Sequence, residues 1–162
     1  MRSLSPVELA LAVSIAGVAL ASSTPTFLRE LRASRMSEAI EGVQDIGAGA
    51  LAYSEEKDLA ASFPAPAPLT PAEVPRGIAA EDPPEVWDTP TWKALQFGFD
   101  RPHRYAFQFD VAPDPSRIWF QATAHGDLNG DGILSTFQLV GERRVGEEAV
   151  ILPGLHIHRE VE

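Results

Sequence analysis

Cysteine is absent from the 162-residue chain. That excludes a disulfide framework, a thiolate metal site and a cysteine nucleophile, and it does not choose a compartment. Lysine is almost absent, with Lys57 and Lys93 the two in the chain. Basic residues number 13 against 23 acidic ones, for a net charge of −10. Such a chain lacks the basic surface that binding to nucleic acid requires. The excess negative charge suits a self-repelling, solvated exterior. G-x-S-x-G, H-E-x-x-H, a P-loop and the Rossmann fingerprint are also missing, so no motif points to an enzyme. There is no internal repeat.

Charge is missing altogether from Leu9 to Leu28. Twenty helical residues at ~1.5 Å each make about 30 Å, the thickness of a bilayer core. The run is rich in Ala and carries Ser14, Gly17, Ser22, Ser23 and Thr24. Small residues of this kind let helix backbones approach one another closely. Pro25 ends the uniform stretch, and the pattern turns amphipathic. Leu28, Leu31, Met36, Ala39, Ile40, Val43, Ile46, Ala50 and Tyr53 recur mostly three and four apart, with charged residues between them. That spacing predicts a helix with one buried face, ending near Lys57 and bent at Pro25.

The next segment, 58–86, is rich in proline, which forbids regular helix or central strand, so an extended loop or linker is expected. "WDTPTWKALQF" predicts a helical turn with Asp88 or Thr89 as cap and Pro90 as first residue. Beyond it, "YAFQFDV", "RIWFQATA" and "ILSTFQLV" read as strands, and "AVIL" and "LHIH" as an edge-like pair. The expected fold is α+β: a long N-terminal helix, apolar in its first half and amphipathic in its second, on a small antiparallel sheet of three or four strands. The expected divisions are 1–3, a short leader; 4–57, the helix; 58–86, the loop; and 87–162, the sheet-bearing head.

Glu8 sits inside the leading edge of the apolar run. Ser5-Pro6-Val7-Glu8 fits a capping box, with Pro6 at the first helical position. A plain capped membrane anchor is one account of it. A second is a secretory signal, with Arg2 as the basic end and Ala19-Leu20-Ala21 before the cut. A third comes from resemblance. Glu8, the apolar run, Gly17 midway, Pro25 and then an amphipathic helix resemble the N-terminus of a type IV pilin or type II secretion pseudopilin. "AEDPPEVWDTPTWKALQFGFDRPHRYAFQF" followed by "WFQATAHGDLNGDGILSTFQLVG" is similar to the head of a branch of bacterial pilin-like proteins. Together the two matches cover nearly the whole chain.

The resemblance implies a pilin-like fold and cleavage by a prepilin peptidase between Ser3 and Leu4. It implies methylation of the new amine and pairing of Glu8 with the amine of a neighbour's first residue. It implies a partner that is the chain itself or other pilins, a bacterial inner-membrane location before assembly, and an extracytoplasmic filament afterwards. A carboxylate in apolar surroundings is costly unless paired, so a partner in the neighbouring copy would set register.

Asp127, Asn129 and Asp131 fall at positions 1, 3 and 5 of an EF-hand-like loop, with Gly132 at 6, the Ile133 carbonyl at 7 and Ser135 at 9. Gln138 stands where a full site has its bidentate Glu, so weak Ca2+ binding on the order of 10⁻⁴–10⁻³ M is expected. The alternative is a bare hairpin turn, since Asn129-Gly130 and Asp131-Gly132 are favoured turn dipeptides. His156 and His158, two apart, would share one face of a strand. The aromatic residues from Trp87 to Phe137 are expected to form the core.

Overall fold

A computed structural model of the protein describes residues 5–55 and 57–159. The chain divides into two compact units, Met1–Arg35 and Met36–Glu162. The first helix, α1, is Pro6–Ser54. A single turn, α2, is Pro90–Ala94. The strands are β1 Ala67–Thr70, β2 Tyr105–Asp114, β3 Arg117–Gly126, β4 Ser135–Arg144, β5 Val150–Ile151 and β6 His156–His158. They form one antiparallel sheet in the order β1-β2-β3-β4-β5, with β6 also paired to β4.

This corrects the expected fold. The sheet has six strands, not three or four. The helical part in the sheet's unit begins at Met36. Among the described residues, no helix is long and apolar enough to cross a membrane. The sheet is larger for two reasons. Ala67–Thr70, inside the proline-rich stretch, pairs on one side only, which a segment containing Pro68 tolerates. At the other edge, β5 and β6 each pair with a different part of β4.

Side-chain size sets how the layers fit. Across the three long strands, Phe107 lies opposite Ala124, which lies opposite Phe137; Phe109, Ala122 and Leu139 form the next row. Small residues on central β3 thus alternate with large ones on its neighbours. At Gly126 a Cβ would stand 2.5 Å from the Tyr105 ring. The helix answers with Ala39, Val43, Ile46 and Ala50, all fully buried at helical spacing. Gly42 lets it approach more closely still, because a Cβ there would enter the Phe107 ring.

Two polar ties hold the part of this helix that lies in the sheet's unit, one near Met36 and one at Ser54. Glu38 Oε1 accepts from the backbone N–H of Arg104 at 2.6 Å and of Tyr105 at 3.2 Å, at the start of β2. At the other end, Arg143 of β4 donates to the carbonyls of Ser54 at 2.9 Å and Lys57 at 2.7 Å, and to Ser62 Oγ at 3.1 Å. Turn α2 is capped by Thr89, whose hydroxyl accepts from Trp92 N, with Pro90 at its first position. Trp92 is fully buried, and its indole N–H donates to Thr70 Oγ1 of β1 at 3.0 Å.

Candidate functional site

The hairpin between β3 and β4 contains the five residues expected to hold a cation. Asp127 is 1% exposed. Its Oδ1 accepts from Gly130 N at 2.7 Å and its Oδ2 from Gly132 N at 3.0 Å. Its own carbonyl accepts from Gly77 N at 2.7 Å. Asn129 Oδ1 accepts from Asp131 N at 2.9 Å, and Asn129 Nδ2 donates to Asp131 Oδ2 at 3.0 Å. Asp131 Oδ1 accepts from Ile133 N at 2.7 Å. Ser135 is fully buried, with its hydroxyl donating to Gly126 O at 3.1 Å.

Gly130 and Gly132 have φ of 80° and 88°, a region that only glycine adopts without strain. The polar groups here serve the backbone turn and one another. Each carboxylate oxygen of Asp127 thus accepts one backbone N–H of the turn. Among the described residues no three His, Cys, Asp or Glu side chains gather as a metal ion needs.

A groove of about 740 Å³ runs between α1 and the segment Ala94–Arg101. Glu41, Asp45 and Asp100 give it negative charge, and Tyr53 stands at its wall. Within its lining Gly49 packs directly on the Leu95 carbonyl, where a Cβ would not fit. Its lining contains no His, Ser or Cys.

The register places three histidines on the other face of the sheet, with β4 between His125 and the pair on β6. His125 of β3 lies opposite Thr136 of β4, which lies opposite His158 of β6, and His156 lies opposite Gln138. His156 and His158 are exposed. His125 Nδ1 is 2.9 Å from Thr136 Oγ1, and burial lowers its pKa from the ordinary 6.5, with a backbone contact to Ser135 opposing. The folded chain therefore takes up this proton less readily than the unfolded chain. Stability should be complete above pH 6.5 and fall as pH drops through 6.5 toward the lowered value. Thermal melts between pH 5 and 8 check this, and His125→Gln should flatten the slope. An unchanged slope in that variant would assign the effect to other groups.

His103, which has no partner visible in sequence, is fully buried among aromatic rings. Its Nδ1 is 2.9 Å from Tyr105 O and its Nε2 is 2.8 Å from Asp82 Oδ2. The Trp87 indole N–H donates to the same carboxylate oxygen at 3.1 Å. Both ring nitrogens thus face oxygens. This cluster fastens the 80–103 segment, with His103 0% exposed at its centre.

In the N-terminal unit the capping box is formed. Ser5 N donates to Glu8 Oε2 at 2.8 Å, and Glu8 N donates to Ser5 Oγ at 3.3 Å. Ser3 and Leu4, the expected processing site, lie outside the described residues. Pro25 lies within α1, helical on both sides. Val7, Leu11, Val13, Ile15 and Val18 are all more than 60% exposed. No family model matches the chain, and no curated protein or solved structure matches it either.

Proposed function

We propose that this chain is a non-enzymatic structural subunit of a filament of the type IV pilin or pseudopilin kind. It is held in a bacterial inner membrane before assembly and becomes part of an extracytoplasmic polymer afterwards. The observation that carries this reading is the exposure of Val7, Leu11, Val13, Ile15 and Val18. At 3.6 residues per turn, positions 7, 11, 15 and 18 share one side of the helix and position 13 points the opposite way. Large apolar side chains left exposed on a helix call for cover from outside that helix. Lipid supplies it before assembly, and the same segment of other copies supplies it afterwards.

In this reading Glu8 has two compatible roles. Within the chain it caps the helix through Ser5. Between chains it pairs with the amine left at Leu4 after cleavage. Glu8→Ala is expected to abolish filaments, seen by electron microscopy, while leaving membrane association and the head's melting temperature unchanged. Ser5→Ala, which removes only the capping hydroxyl, should still polymerise. Normal filaments from Glu8→Ala would sink the pairing role. N-terminal sequencing of the mature protein tests the processing step, with a start at Leu4 expected. A start at Ser22 would indicate a secreted module, and an intact Met1 a tethered one.

A further inference from the structure

The hairpin between β3 and β4 holds two chemically fragile dipeptides, Asn129-Gly130 and Asp131-Gly132, on exposed turns. In such pairs the glycine nitrogen can attack the preceding side-chain Cγ, because glycine has no side chain to obstruct it. At Asn129 the new bond would join Gly130 N to Asn129 Cγ. The side-chain amide would leave as ammonia, carrying off the displaced proton. Water would then open the resulting five-membered imide at either carbonyl, giving aspartate or its β-linked isomer. At Asp131 the same attack by Gly132 N would expel water, and reopening would give the same two products. No oxidant or further reactant is needed.

The two nucleophiles are the two nitrogens that Asp127 holds, Gly130 N at 2.7 Å and Gly132 N at 3.0 Å, each on its own carboxylate oxygen. We propose that Asp127 protects this hairpin from succinimide formation by occupying both attacking N–H groups. Three physical effects act in the same direction. Each hydrogen bond fixes its glycine peptide with the N–H turned toward Asp127 and away from the neighbouring Cγ. A carboxylate beside an amide disfavours the negative charge the nitrogen must gain to attack. Asp127 is itself 1% exposed, so this acceptor is rigidly placed and little screened by water. The Asn129 side chain is restrained as well, through its contacts with Asp131. The inference is independent of the filament reading.

The test uses the full chain, incubated at neutral and mildly alkaline pH, with peptide mapping for β-linked aspartate and for the mass change when NH2 is replaced by OH. Hydrogen bonds to a charged acceptor are worth about 1.5–3 kcal/mol, which corresponds to roughly ten- to hundredfold in rate. Folded wild type should therefore react at least about tenfold more slowly at both positions than the same chain in denaturant. Asp127→Asn, shown to be folded by its melting curve, should react about tenfold faster than wild type at one or both positions. A folded Asp127→Asn that reacts at the wild-type rate, or more slowly, overturns the proposal. Amide hydrogen exchange on wild type decides the matter if that variant does not fold. Protection at Gly130 and Gly132 supports the proposal, and exchange at the rate of an unstructured chain refutes it.

Discussion

Trp92→Ala is expected to lower the free energy of unfolding by about 3–5 kcal/mol, the range for removing a large aromatic from a core. Trp92 is fully buried. Its ring lies 5.6 Å from Trp87 and 5.5 Å from Phe97, so the vacancy would open in the middle of an aromatic cluster. Its indole N–H also reaches Thr70 Oγ1 at 3.0 Å, linking α2 to edge strand β1. Two losses therefore coincide, one of packing and one of a buried hydrogen bond. Trp92→Phe separates them. It restores most of the ring volume without the donor, and should recover more than half of the stability. Urea unfolding of the two variants measures both, and equal losses would mean that the hydrogen bond, not the packing, dominates.

Arg143→Ala is expected to cost about 1.5–3 kcal/mol, the range for hydrogen bonds made by a charged group. One guanidinium nitrogen serves Ser54 O, Lys57 O and Ser62 Oγ, and Nε donates to Glu147 O at 3.2 Å. The last carbonyls of a helix lack intrahelical partners and carry partial negative charge, so a cation there satisfies both needs. Arg143→Lys keeps the charge but not the fork of donors, and should recover only part of the loss. Hydrogen exchange should locate the damage in the last turn of α1 and leave β2 and β3 protected. A uniform loss of protection would show that Arg143 supports the whole sheet instead.

What could be read in the sequence was local. The buried face Ala39, Val43, Ile46 and Ala50 follows from helical spacing, the Ser5–Glu8 box from a separation of three residues, and the α2 turn from Thr89-Pro90. Each depends on neighbours in the chain. What could not be read depends on partners far away. The Glu38 contact spans 66 residues and the Arg143 contact with Ser54 spans 89, and no pattern within either segment announces the other. The same holds for Ala67–Thr70, which becomes a strand only because β2 presents an open edge to it. His103 gains its role from Asp82, twenty-one residues away.

One signal was available and went unread. Gly42, Gly47 and Gly49 in a helical stretch are costly unless something packs close, and at all three something does. In the hairpin, residue spacing was legible and the direction of the acceptors was not. Asp127, Asn129 and Asp131 alternate as a cation loop would. The structure points the first of them at the backbone of its own turn.

The edges of the sheet bear on how copies of this protein can and cannot associate. On one side lies β1, four residues with Pro68 among them and Pro71 following, so two backbone donors are missing where a new strand would dock. On the other side, β5 and β6 contribute two and three residues, interrupted by the Pro153-Gly154 bend. Among the described residues, neither margin offers the long, flat row of free N–H and C=O groups that lets one sheet extend into the next. Short, proline-interrupted edges of this kind blunt edge-to-edge pairing between sheets, which disfavours growth of one sheet into another at high local concentration.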